Sequence, residues 1–223
     1  MKAKVQARVH SSEKTKLEDV IPLETPFSVH IDICSKCNFK CNFCFQADTE
    51  AMKQKGYKYG SMKLELFKKI TDDLNEFKDK VRKVKIGLHG EPLIHPELSQ
   101  MISYMNSQNV TDIIELFTNG SMLNPKLNKE MIDAGLTRIN ISVEGLTSEK
   151  YRQVTGAKVD MDEFIKNIAN LYEVRKECKI YIKIVDIKLC QEDKDRFFEI
   201  FGDICDEIFI ENVVPQWSEV NKF

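Results

Sequence analysis

FSVHIDICSKCNFKCNFCF, residues 27–45, decides how the rest of the chain is read. Its first part places Phe27, Val29, Ile31 and Ile33 at alternate positions, the period of a half-buried strand. Four cysteines follow within eleven residues: Cys34, Cys37, Cys41 and Cys44, the last three spaced C-x3-C-x2-C. Thiols bunched behind a strand make a metal site, a cluster site or a disulfide knot, and each leads to different chemistry.

Outward from this stretch the chain alternates. KVKIGL (83–88), DIIELF (112–117), RINISV (138–143), KIYIKIV (179–185) and EIFIENV (207–213) read as five further strands. Between them apolar residues recur at helical spacing. The first set is Leu64, Phe67, Ile70, Leu74 and Phe77, and the second is Leu98, Met101, Ile102 and Met105 behind Pro96. The third is Leu127, Met131 and Ile132, ending near Gly135. The fourth runs from Phe164 through Ile165, Ile168 and Leu171 to Tyr172, and the fifth is Phe197, Phe198 and Phe201. Strict β-α alternation predicts an α/β fold with a parallel sheet and helical crossovers. Two architectures satisfy it: an open doubly wound sheet, or a full or partial β/α barrel, six strands being too few to close an eight-stranded one. Residues 1–26, polar and without clear periodicity, read as an N-terminal extension, and 27–223 as one core domain.

Composition narrows the function. The 223 residues carry a net charge of -2, which gives no basic excess for nucleic acid. No run of eighteen apolar residues predicts a membrane span, and MKAKVQARVHSSEKTK lacks the apolar core of a signal peptide. The expected location is the cytoplasm, where thiols stay reduced, so a disulfide framework is disfavoured. Cys178, Cys190 and Cys205 sit in apolar surroundings, as core cysteines do.

The unusual residues fall behind strands. The cysteines follow the first, His89-Gly90-Glu91-Pro92 the second and Thr118-Asn119-Gly120 the third, and Ser142-Val143-Glu144-Gly145 closes the fourth. In a parallel β/α sheet the C-terminal strand ends share one edge, where ligands bind. Thiolates suit zinc or an iron–sulfur cluster. Four cysteines as two C-x2-C pairs could hold a structural zinc, but three intervening residues wind tightly where zinc folds use about a dozen or more.

Cys37-x3-Cys41-x2-Cys44 behind the first strand, with aromatic Phe43 before the last cysteine, resembles the signature of radical S-adenosylmethionine (SAM) enzymes. The resemblance covers roughly residues 27–213. It implies a partial (β/α)6 TIM-like barrel with parallel strands. It implies that Cys37, Cys41 and Cys44 bind a [4Fe–4S] cluster whose open iron chelates SAM, with Phe43 near the adenine. Gly90-Glu91-Pro92 resembles the family's Gly-Gly-Glu-Pro segment, which meets the methionyl amine, with His89 where the first glycine is usual. By the same resemblance Ser142 and Glu144 meet the ribose or carboxylate of SAM, and Asn119 lies at the cofactor. The family further implies reductive SAM cleavage to a 5′-deoxyadenosyl radical and a flavodoxin or ferredoxin as one-electron reductant. Its substrates include organic molecules and peptides, with no nucleic acid or membrane expected here.

Glu91–Leu98 reads like the branch of the family with an extra C-terminal cluster domain (SPASM or twitch). That domain needs further cysteines, and none follows Cys205. The expectation is a member without auxiliary clusters, or a truncated one whose exposed Trp217 and Phe223 meet a missing part. Cys34 reads as a buried strand residue. The competing reading, a non-catalytic zinc module, requires Cys34 as fourth ligand. His95 is expected to cap the second helix, and Lys183 and Asp186 are either solvated strand residues or within reach of the site. His10 and His30 carry no functional argument at this level.

Overall fold

A computed structural model describes residues 1–8 and 15–212. Among these, seven parallel strands form one sheet: β1 (Lys4–Val5), β2 (Ser28–Ile31), β3 (Val81–Ile86), β4 (Thr111–Thr118), β5 (Arg138–Val143), β6 (Lys179–Val185) and β7 (Glu207–Glu211). Their order is β1-β7-β6-β5-β4-β3-β2. From β2 to β7 each strand lies beside its successor, so the order never reverses. A doubly wound sheet needs a reversal. With every crossover of one hand, the helices share one face and the sheet curls around the other. The result is a partial β/α barrel, open between β1 and β2.

The helices are α1 (Thr49–Gln54), α2 (Leu64–Asp73), α3 (Leu98–Gln108), α4 (Pro125–Asp133), α5 (Ser148–Thr155), α6 (Met161–Val174) and α7 (Gln191–Phe201). On the outer layer α2 packs on α3, α3 on α4 and α4 on α6. Beneath them lie Val84, Ile86, Leu116, Ile139, Ile141, Ile180, Ile182 and Ile208, all fully buried. Helix α6 starts where the Asp160 side chain accepts from the amides of Asp162 and Glu163. It buries Phe164, Ile168 and Leu171, each contributing about 2 kcal/mol by area.

The inner face alternates with this core and is polar. Glu115 of β4, 1% exposed, faces Lys83 at 3.2 Å and Arg138 at 3.1 Å, and Arg138 also reaches Glu207 at 2.7 Å. Buried charges persist only when paired, and this network fills the N-terminal half of the barrel.

Three differences from the sequence reading have local causes. The sheet gains β1 from residues read as an extension, pairing Lys4 with Glu207 and Val5 with Ile208. Two residues are too few to show a period. Helix α5 was not expected: the Thr147 hydroxyl caps it through the Lys150 amide, and its apolar stripe is only Tyr151 and Val154. The first expected helix ends early. A 3-10 turn over Leu74–Glu76 follows α2, leaving Phe77 extended and exposed. His10, Val213, Trp217 and Phe223 lie outside the described residues. Among the described residues no helix is long and apolar enough to cross a membrane.

Candidate active site

The cysteine loop leaves β2 at the C-terminal edge and is pinned at both ends. The Ser35 amide donates to Gly60 O (3.0 Å), and Cys34 forms an isolated bridge with Ser61. Farther on, the amides of Lys40 and Asn42 donate to the carbonyls of Thr155 and Val154 at the end of α5 (2.8 and 2.9 Å). Phe39 is buried and meets Tyr151 edge to face, with centroids 6.1 Å apart. Between the anchors Cys37 is exposed, while Cys41 and Cys44 are partly buried; all three are free thiols. Cys34 is not part of this set. It is 2% exposed, its thiol donates to Lys36 O (3.6 Å) and accepts from the Ser61 hydroxyl (3.7 Å).

Burial pushes all three loop thiols up in pKa, with Glu91 acting on Cys37 and Glu144 on both Cys41 and Cys44. Cys41 is also raised by Cys44 and Cys37. Three thiolates beside two carboxylates repel one another, and a bound cation relieves that repulsion. Among the described residues no three His, Cys, Asp or Glu side chains converge on a point for one ion. A multi-iron cluster makes no such demand, because each thiolate takes a different iron. The donor set fits an iron–sulfur cluster.

Gly90 is what lets the second segment reach this loop. Its φ is +85°, and a Cβ there would lie 2.3 Å from Cys34 O and 2.7 Å from Lys36 O. The next amide, of Glu91, donates to Lys36 O (2.8 Å). Pro92 opens a buried 3-10 turn over Pro92–Ile94. The Glu91 carboxylate is fully engaged by the protein. Oε1 accepts from the Leu93 amide (2.9 Å) and the Thr118 hydroxyl (2.6 Å), and Oε2 from the Asn119 amide (2.7 Å). Burial pushes its pKa up to about 7 against these donors. Its side chain therefore ties the β3 end to the β4 end.

Asn119 joins β4 to the cysteines: its Nδ2 lies 2.9 Å from Asn38 Oδ1 and 3.9 Å from Cys37 Sγ, and its Oδ1 accepts from the Ser121 amide. Ser142 is partly buried on the inner face, in register with Lys183. Glu144, just past β5, is also partly buried; its amide donates to Tyr151 Oη (3.2 Å). Its carboxylate has no hydrogen-bond partner among the described residues, and burial pushes its pKa up to about 7 against the pull of Lys183. It borders a cavity of about 150 Å³ lined by apolar Val143, Leu146 and Ile184 and by polar Thr147, Lys150 and Asp193. Glu144 is thus an unpaired acid beside the Cys41 and Cys44 thiols.

Phe43 lies within the loop, partly buried. His89 donates from Nδ1 to Asp32 Oδ2 (2.7 Å), and its ring packs on Phe45. Asp186 is bound to Lys194 (2.6 Å), and Lys183 pairs with Glu211. His95 is buried; its Nδ1 accepts from the Glu97 amide at the start of α3 and its Nε2 meets Met62 O. Sequence reasoning missed Tyr151, which positions Glu144 and carries Phe39. Its only signal was an aromatic in a polar stretch.

A family model described as the Radical SAM superfamily matches residues 31–187. The chain belongs to the radical SAM superfamily. It is 35% identical over 147 residues to a probable GTP 3′,8-cyclase of Methanococcus maripaludis, covering 66% of this chain and 46% of that protein. It is 28% identical to the tungsten-containing aldehyde ferredoxin oxidoreductase cofactor-modifying protein of Pyrococcus furiosus, over 53% of this chain and 31% of that one. The solved structure of Streptococcus suis SuiB bound to S-adenosylmethionine superposes with a TM-score of 0.70 at 19% identity, covering 93% of this chain and 46% of SuiB. The chain spans about half the length of the curated relatives it matches. Radical SAM proteins use a [4Fe–4S] cluster and SAM. With Cys34 hydrogen-bonded away from the other three thiols, the zinc module loses its fourth ligand and is not supported.

Proposed function

We propose that this chain generates a substrate radical inside its partial barrel, using Cys37, Cys41 and Cys44 to hold the cluster and the β3, β4 and β5 ends to hold SAM. When bound, the [4Fe–4S] cluster supplies the electron that cleaves SAM to methionine and a 5′-deoxyadenosyl radical, which takes hydrogen from a substrate C–H bond. The carrying observation is three free thiols from one pinned loop beside the unpartnered Glu144 carboxylate.

The chain's own residues bind and orient. Main-chain groups at Gly90, Glu91 and Pro92 face the methionyl amine, and Asn119 holds the loop at Cys37. Ser142 and Glu144 accept from ribose hydroxyls or the amine. Phe43 stacks near the adenine. The lumen behind these groups admits the substrate and keeps water from the radical. Electrons come from a flavodoxin or ferredoxin in the cytoplasm, and the catalytic core comprises residues 27–223 together with β1 of the N-terminal segment.

Anaerobic reconstitution with iron and sulfide, reduction, and electron paramagnetic resonance with and without SAM test this reading. A [4Fe–4S]+ signal that shifts with SAM, together with 5′-deoxyadenosine, is the expected result. A colourless protein that takes up zinc and ignores SAM overturns it. Glu144→Gln keeps the cluster signal but weakens SAM binding roughly tenfold or more, since it removes a charged acceptor; unchanged SAM affinity in that variant removes Glu144 from the site.

A further inference from the structure

Most charges on the inner face of the sheet are neutralised in place. Glu115 and Glu207 cover Lys83 and Arg138, and Glu211 takes Lys183 at 2.8 Å and Arg8 at 3.8 Å. His30 and Lys85 are different. They are partners across β2 and β3, in one register row with Glu115 and Arg138. Each alternates with core residues, Ile31 on one strand and Val84 and Ile86 on the other, so both project to the lumen. Among the described residues neither has a carboxylate within ion-pair distance nor a side-chain hydrogen bond.

A third cation approaches them from elsewhere. Arg8 follows β1, at the far edge of the sheet, and crosses onto the inner face. Its amide donates to Tyr181 Oη (3.0 Å) and its guanidinium lies 5.2 Å over the Phe117 ring. Arg8 acts on both His30 and Lys85, and Lys85 acts on His30. Burial holds Lys85 below its ordinary pKa, opposed by Glu115 and reinforced by Lys83 and Arg8. Burial and then Lys85 hold His30 down, Asp32 and Glu115 opposing. Glu115 and, for Arg8, Glu211 offset part of this positive charge, and an anion reaching His30 and Lys85, which have no ion-pair partner of their own among the described residues, offsets the rest.

We propose that His30 and Lys85, with Arg8 reaching over from the N-terminal segment, form a subsite for an oxyanion, phosphate or carboxylate, carried by the substrate. This rests on the reading that the substrate enters this lumen. The subsite also sets the substrate's shape. Lys85 lies inside β3, whereas the cysteine loop and the His89–Glu91 segment lie past the C-terminal strand ends. The substrate is therefore anionic at one end and offers its reacting C–H bond at the strand ends, where the cysteines gather.

Proton NMR of the full chain tests this directly. It has four histidines, and His30→Gln assigns the ring signal of interest. Titration with inorganic phosphate and, separately, with acetate is expected to shift the His30 signal saturably while buried His95 stays put. The tighter of the two anions identifies the source of the oxyanion. Lys85→Gln weakens that response roughly tenfold or more, the loss of one charged hydrogen bond. Lys85→Arg keeps the charge and keeps the response, as does Lys126→Gln on the exposed outer surface of α4. No saturable shift with either anion, or an unchanged response in Lys85→Gln, overturns the subsite. Assay of 5′-deoxyadenosine on the reconstituted protein separates the two readings. Anion binding without 5′-deoxyadenosine sinks the enzymatic reading alone, and 5′-deoxyadenosine without anion binding sinks the subsite alone.

Discussion

Alanine at Cys37, Cys41 or Cys44 abolishes cluster binding, whereas Cys34→Ala keeps it. Each loop thiol would bind a different iron, and two remaining protein ligands would leave two irons open to solvent and to loss. Iron content per chain and the cluster's visible absorbance should fall to background in the three loop variants, and 5′-deoxyadenosine with them. Cys34 already donates its thiol to Lys36 O and accepts from Ser61, inside the core. Its removal leaves a small cavity and costs about 1–2 kcal/mol of stability, without loss of iron. Loss of the cluster in Cys34→Ala, with the fold intact, would restore the four-thiol site that the zinc module requires.

The second large effect is at Gly90. Gly90→Ala places a methyl group 2.3 Å from one carbonyl oxygen of the cysteine loop and 2.7 Å from another, on a backbone at φ +85°. Backbone cannot swing aside as a flexible side chain can. Strain and overlap together should cost about 3 kcal/mol or more, roughly 6–12 °C in Tm for a chain of this size. Gly56 isolates the strain. Its φ is +83°, yet nothing lies within 4 Å of a Cβ there. Gly56→Ala should therefore cost only about 1 kcal/mol and retain iron, while Gly90→Ala loses both stability and cluster. Thermal melts with iron analysis on the two variants decide this, and equal effects would remove close approach as the reason for glycine at position 90.

Glu91 shows how a residue can be placed correctly by sequence and still act differently from what its chemistry suggests. A carboxylate in that segment reads as a partner for an ammonium group. In the fold it is occupied by Leu93, Thr118 and Asn119, because the strand ends bring three donors to it. The carboxylate that remains unpaired is Glu144, held by Tyr151 from a helix whose short apolar stripe gave little periodic signal.

By itself the sequence determined the parallel α/β class, the strands from β2 to β7, and the convergence of four polar segments at one edge. These follow from local periodicity and from the rule that consecutive parallel strands end on the same side. It also singled out three cysteines, because their spacing is a property of one short loop. Periodicity alone left a doubly wound sheet and a partial barrel open, since strand order is not written in any single segment; the family resemblance implied the partial barrel, and the strand order of the structure bears it out. The tertiary structure alone showed that Lys4–Val5 completes the sheet by pairing with β7, a contact across two hundred residues that two residues cannot announce. It alone separated the paired charges of the lumen from His30 and Lys85, because whether a lysine on a strand is neutralised depends on what the neighbouring strands place opposite it.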